Sequence, residues 1–279
     1  MQKINDLTAL KKKAIDLRRD ILTSLEKAGS GHTGGSLSAV EILVALYYRR
    51  LNVDKTTFGN RERDKFILSK GHACPALYVV LADLGFFPRE ELWTLRKLGS
   101  SLQGHPQFGL PGLETSSGSL GQGLSIAVGM TLADRIDGLS ARTYCLMGDG
   151  ETNEGQVWEA AMTGAHYKLN NLCGIIDHNK LQIDGACCEV MDLGQYKAKW
   201  QDFGWHTIEV DGHDFEELDE AFAEAAKIKK KPQMIIAHTV KGKGISFIEN
   251  QVGWHGIAPK KDELEKALAE LDSAEKALS

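Results

Sequence analysis

Two apolar runs, each ending at a residue suited to holding a cation, constrain this chain most. Residues 142–147 (Arg-Thr-Tyr-Cys-Leu-Met) lead into Gly148-Asp149-Gly150, and residues 172–177 (Leu-Cys-Gly-Ile-Ile-Asp) lead to Asn179. Between Gly150 and Asn179 lie 28 residues, in which Val157, Ala160, Ala161, Gly164 and Ala165 recur at helical spacing. The expected order is strand, helix, strand, and a connection of that length joins parallel strands. The expected fold class is α/β, a parallel twisted sheet with helices on both faces. Asp149 and Asn179 then sit at the carboxyl ends of strands, the edge where open α/β sheets bind ligands.

The residue types fit a diphosphate held through a hard cation. Magnesium takes octahedral oxygen ligands, one or two from protein and the rest from phosphate and water. Asp149 and Asn179 offer such oxygens, and the Leu181 carbonyl could add another. Gly148 and Gly150 let backbone approach phosphate and let the turn take dihedrals closed to other residues. A lone Gly-Asp-Gly is most often an ordinary turn after a strand. The spaced asparagine, also at a strand end, lifts this one above that reading.

Any anion must be met locally, because 33 basic against 38 acidic residues leave a net charge of −5 on 279 residues. That balance argues against a general nucleic-acid footprint. The five cysteines form no zinc spacing, and an odd count with Cys187 beside Cys188 speaks against a disulfide framework. No run of about 18 apolar residues and no signal-type amino terminus occurs. A soluble cytoplasmic protein without membrane contact is expected. Lacking repeats or linkers, the chain reads as one domain over 1–279. Its core is expected over about 10–260, with 261–279 a surface helix that frays into a tail.

Along the chain, periodicity predicts a helix over 6–27, then a glycine loop from Gly29 to Gly35 that presents His32 and is too glycine-rich for a helix. Ser36 or Ser38 is expected to cap the next helix. A short strand at 66–68 runs into Ser69-Lys70-Gly71-His72. Helices are expected over 73–84 and 88–97, the latter with Pro88 in its first turn. After Gly104-His105-Pro106, the stretch from Gly118 to Gly123 opens a helix to about Arg135, its glycines letting backbone crowd a flat ring or a phosphate. Ile183-Asp184-Gly185 closes a turn, and 186–204 is loop or short helix. Strands fall at 206–210 and 234–239, flanking a helix from Asp214 or Glu216 to Ile228. Lys241 and Lys243 follow, and Trp254-His255-Gly256 places a further histidine beside glycine. Alone, His32 reads as a loop histidine satisfied by backbone, and the lysines as solvated charges.

The set is another matter. Gly31-His32, Leu68-Ser69-Lys70-Gly71-His72-Ala73, Gly104-His105-Pro106, Gly118-Ser119-Leu120-Gly121-Gln122-Gly123, Gly148-Asp149-Gly150 with Glu154-Gly155, Asn179, Lys241-Gly242 and Trp254-His255-Gly256 stand in that order. Together they resemble the amino-terminal, diphosphate-binding half of transketolases, which use thiamine diphosphate. The likeness spans roughly residues 10 to 260. It implies that Asp149, Asn179 and the Leu181 carbonyl hold magnesium, with calcium or manganese as substitutes. It implies that Gly150, His72, His255 and Lys241 face the diphosphate or the thiazolium end, that Gly118 and Leu120 border the cofactor rings, and that Ile183 packs on the thiazolium. His32, His72, His105 and His255 would line the sugar channel and shuttle protons, work suited to imidazoles. Glu154 matches a glutamate that in the family sits at the subunit interface and communicates between cofactor sites. Alone it reads equally well as a helix-start carboxylate offsetting the helix dipole. Thr33 stands where many members have proline, and Gln107 where glutamate is common; altered loop geometry with unchanged chemistry is expected.

The larger departure is length, since the sequence stops at Ser279. In single-chain transketolases a second α/β domain supplies the glutamate that activates the aminopyrimidine and the residues that grip the sugar phosphate. The resemblance therefore implies the N-terminal subunit of a two-chain transketolase of the pentose phosphate pathway. It would move a two-carbon ketol unit from a ketose phosphate to an aldose phosphate with a separate C-terminal subunit carrying that glutamate, two copies of each. The alternatives are a subunit of a deoxyxylulose-phosphate synthase or a 2-oxo acid dehydrogenase, and a non-catalytic cofactor-binding module.

Overall fold

In the computed structural model, which describes residues 3–278, five strands form one parallel sheet. In chain order the strands are β1 (Lys65–Leu68), β2 (Thr143–Gly148), β3 (Leu172–His178), β4 (Leu181–Gln182), β5 (Gly185–Ala186), β6 (His206–Asp211) and β7 (Gln233–His238). The sheet runs β1-β2-β3-β7-β6, while β4 and β5 pair as a small antiparallel hairpin around the turn expected at 183–185. The longer helices are α1 (Leu7–Ala28), α2 (Thr33–Ser38), α3 (Val40–Ala45), α4 (Cys74–Asp83), α5 (Gln122–Ile136) and α6 (Gly155–His166). They are followed by α7 (Cys187–Val190), α8 (Tyr196–Asp202), α9 (Phe215–Lys227) and α10 (Lys261–Lys276).

Helices cover both faces of the sheet, as expected, and side-chain alternation along the strands shows it. Phe66, Leu68, Tyr144, Leu146, Ile175 and Ile235 join the core of α1, α4 and α9. Their neighbours Ile67, Cys145, Met147, Ile176, Met234 and Ile236 join the other core, with α5, α6 and Trp200 and Trp205 around α8. A parallel sheet buried on both sides needs such continuously apolar strands. The register pairs Gly148 with Asp177 and Asp177 with Ala237, so the loops after β2, β3 and β7 emerge side by side.

Several expectations fail locally. Residues 33–35 of the expected glycine loop open a helix, α2, that runs on to Ser38, and His32 stands at its start. A Cβ at Gly34 would lie 2.9 Å from Lys241 Cγ and 3.0 Å from the Trp254 carbonyl. The glycines thus permit close packing, and α2 is stabilised by burial, which overrides weak helix propensity. Neither serine caps the next helix, because Ser36 Oγ donates to the His32 carbonyl (2.6 Å) and Ser38 Oγ to Asp177 Oδ2 (2.6 Å). The segment expected as helix 88–97 is a 3₁₀ turn at Arg89–Thr94, with Pro88 just before it. The carboxyl-terminal segment is docked through Lys276, since α10 buries Ala267 and Leu271 in the core shared with α1, while Arg19 bridges to Asp272 (2.8 Å) and Glu275 (2.7 Å). Its sparse leucines are a packing stripe, and the core extends beyond 260. Gly148 and Gly150 take no positive φ. Gly150 matters instead as a gap, its Cβ position lying 3.1 Å from Gln182 Cβ.

Candidate active site

The clamp at the carboxyl edge of β2 and β3 is built mostly from backbone. Asp149 is buried, with Oδ1 accepting from the Gly150 N–H (2.8 Å) and Oδ2 from the Lys180 N–H. Burial, and then the charge of Asp177, raise its carboxyl to about 6. Asn179 Oδ1 accepts from the Leu181 N–H (3.2 Å), and the Leu181 carbonyl accepts from Lys241 Nζ (3.0 Å). Lys241 is itself buried, and burial followed by the nearby Lys70 charge brings it down to about 8. Its ammonium also meets His255 Nδ1 at 2.7 Å, which leaves the neutral ring its proton on Nε2.

Four imidazoles from separate loops converge beside this clamp. Ring centroids of His32 lie 5.1 Å from His72, 5.5 Å from His255 and 6.1 Å from His105, and His72 lies 5.3 Å from His255. All four are held toward the neutral form. Burial and then His105 bring His32 to about 4, and burial and then Lys241 bring His255 to about 3. Burial and Lys70 hold His72 well below the ordinary value, and burial and Arg96 lower His105. At neutral pH the rings donate and accept hydrogen bonds without charge. Gly118, at φ 150°, lets the backbone pass 3.1 Å from the His105 ring, measured from its Cβ position.

The cleft brings together the sequence-predicted His32, His72, His105, His255, Gly118, Leu120, Asp149, Gly150, Asn179, Leu181, Ile183 and Lys241. Ile183 is 66% exposed at its mouth. Glu154 does not line it. That residue is exposed at the start of α6, makes no side-chain cap, and its Cβ packs against Gly121.

Sequence reasoning missed the layer beneath. Lys70 (1% exposed) and Asp177 (0%) form a buried ion pair, with Lys70 Nζ also donating to the Gly35 carbonyl (3.0 Å). Asp177 further accepts from Ser38 (2.6 Å), Thr239 and Asn179 (3.3 Å). Burial works against its charge, but Lys70, Ser38 and Thr239 hold its carboxyl below the ordinary value. Glu151, also buried, ties three loops together by accepting from the Gly148 N–H (3.0 Å), the Gly121 N–H (2.9 Å) and Ser69. The available signal was a charged residue closing an otherwise apolar strand, and a lysine inside the Ser-Lys-Gly-His run.

The arrangement suits a bound diphosphate on chemical grounds. The clamp offers only oxygen donors, as a hard cation requires, and a carbonyl oxygen has a second lone pair beside the one Lys241 uses. His32 Nδ1 and Gln182 Nε2 are buried in the cleft without a partner among the described residues, polar groups that a ligand would satisfy.

Comparison with known proteins agrees. The family profile "Transketolase, thiamine diphosphate binding domain" matches residues 10–276, which defines the class as thiamine diphosphate-binding. A subunit of the apulose-4-phosphate transketolase of Phocaeicola vulgatus is 43% identical over 91% of this chain and 90% of that protein. The 6-deoxy-6-sulfo-D-fructose transketolase subunit of a Clostridium species is 44% identical over 92% and 94%. The transketolase structure from Campylobacter jejuni superposes with a TM-score of 0.90 at 29% identity, covering 98% of this chain and 46% of that one. The chain belongs to the transketolase family. It spans less than half the length of the single-chain transketolases it matches, such as 42% of the human protein.

Proposed function

We propose that this chain is the diphosphate-binding subunit of a two-chain transketolase, transferring a two-carbon ketol unit from a ketose phosphate, or a similarly anionic ketose, to an aldose phosphate. The observation that carries this reading is the meeting, in one cleft, of an all-oxygen clamp and four neutral imidazoles. When bound, thiamine diphosphate supplies a thiazolium carbon acidic enough to form and stabilise a carbanion. Asp149, Asn179 and the Leu181 carbonyl would hold the magnesium, and Lys241 and His255 would meet the diphosphate. Gly118, Leu120 and Ile183 would border the rings. The imidazoles would hydrogen-bond the sugar hydroxyls, and His105, the most exposed of them to the outer cleft, would hold and move a proton there.

The partner would supply the glutamate that activates the aminopyrimidine, in an assembly of two copies of each chain in the cytoplasm. Relatives named as transketolase subunits, matched nearly end to end, support a partner chain. The test is to combine this chain with a cognate C-terminal subunit, thiamine diphosphate and magnesium, and to follow ketose phosphate consumption. Turnover is expected only in the complete mixture, and its absence with a cognate partner would overturn the reading. A purely cofactor-binding module is separated by His105→Ala. The enzyme reading expects calorimetric cofactor binding to survive while turnover falls about 100-fold, the usual scale for losing a general acid–base group.

A further inference from the structure

Lys241 sits in a turn that a buried network outside the cleft holds from two sides. Arg18 on α1 and Glu41 on α3 pair through two bonds, Nη1 to Oε1 at 2.6 Å and Nη2 to Oε2 at 2.8 Å, with both side chains nearly excluded from water. His213, in the loop between β6 and α9, meets the same Oε2 through Nδ1 at 2.9 Å. Burial opposes the charge on Glu41, yet Arg18 and then His213 bring its carboxyl down to about 2. Arg18, Glu41 and His213 all lie outside the lining of the cleft.

Two further bonds from these side chains reach one stretch of backbone. Arg18 Nε donates to the Lys243 carbonyl at 2.8 Å, and the Val240 N–H donates to His213 Nε2 at 2.8 Å. A ring nitrogen that accepts carries no proton, so His213 keeps its proton on Nδ1, where it is directed at Glu41. The Lys243 N–H closes the turn onto the Val240 carbonyl at 3.1 Å. A Cβ at Gly244 would fall 2.9 Å from Arg18 Nε, so the turn rests directly on the guanidinium. Lys241 stands between the two anchored residues, 1% exposed, with its ammonium on the Leu181 carbonyl and His255.

Resting on the transketolase reading, we propose that Arg18, Glu41 and His213 are positioning residues for cofactor binding, setting the 240–243 turn so that the Lys241 ammonium reaches the diphosphate. A core ion pair alone would need only Arg18 and Glu41. Here one carboxylate aims two side chains from different parts of the chain at the backbone on either side of the same lysine. The planar guanidinium, held by both carboxylate oxygens, has its Nε fixed toward Lys243. The imidazole, held at Nδ1, is kept in the one tautomer that can accept from Val240. Without Glu41 the other tautomer would set an N–H against the Val240 N–H and push the turn away. Buried bonds of this kind act strongly, and a lysine held at both flanks has less freedom to lose when its ammonium meets an anion.

The test is a double-mutant cycle on the reconstituted two-chain enzyme, read as thiamine diphosphate affinity by calorimetry with magnesium present, independently of turnover. His213→Ala should weaken that affinity about tenfold in the wild-type background, and by less than about twofold once Lys241→Met has removed the ammonium. His213→Gln, whose amide can accept from Val240 and donate to Glu41, should recover most of the loss. If His213→Ala does not assemble, Glu41→Gln carries the same cycle with the size of the side chain kept. Equal losses with and without Lys241 mean a merely structural role and overturn the proposal, as does undiminished affinity in the His213→Ala enzyme. A Lys241→Met enzyme that binds as tightly as wild type removes the lysine's contact and the proposal with it. A wild-type assembly that takes up no thiamine diphosphate would instead overturn the transketolase reading beneath.

Discussion

At the scale of single residues, the clamp and the layer under it make separate predictions. Asp149→Asn keeps the size of the side chain but removes its charge. Calorimetric titration with magnesium present should show thiamine diphosphate affinity lowered at least about tenfold, as for loss of a charge-assisted contact. Lys70→Met acts differently, because it leaves Asp177 buried and uncompensated. Breaking one side of such a pair costs about 3–5 kcal/mol, which urea denaturation of the chain would read, and an unchanged midpoint would mean that Ser38, Thr239 and Asn179 suffice to hold the carboxylate. The residues legible in the sequence were those in recognisable runs, the four glycine-flanked histidines and Gly-Asp-Gly with its asparagine. Asp177 and Glu151 were not, since each takes its meaning from partners far away in the chain, Lys70 and Ser69 among them, and spacing carries no record of those contacts.

Elements were legible where periodicity and burial agreed. The strands at 143–148 and 172–178 lie within a residue of expectation, because strands buried on both faces are apolar throughout. Helix α2 was hidden because its residues favour a loop, and only packing against Lys241 and Trp254 makes it helical. Gly34→Ala should therefore destabilise the chain and weaken cofactor binding, despite alanine's better propensity. A gain in thermal midpoint would contradict that account. At α9, Asp214 accepts from the Glu216 N–H (2.8 Å) and the Glu217 N–H (3.0 Å). Asp214→Ala should cost about 1 kcal/mol in urea denaturation and leave cofactor affinity alone.

For the whole molecule, the histidines set a pH dependence of stability. His32 at about 4 and His255 at about 3 lie below the ordinary 6.5, and His72 lies well below it. Between those values the unfolded chain binds protons that the folded chain refuses, so stability falls as pH drops from about 6.5 toward 4. Asp149, raised to about 6 from 3.8, opposes this in part of the same range. The urea midpoint of the cofactor-free chain should be lower at pH 5 than at pH 7, and His32→Gln should shrink the difference. Crowding of the four rings has one more consequence. Each ring that gains a proton makes the next harder to charge, as His32 and His255 already do to His72. Acidification would then charge them one after another, so the titration of the four rings would spread over a wider pH range than that of a single imidazole.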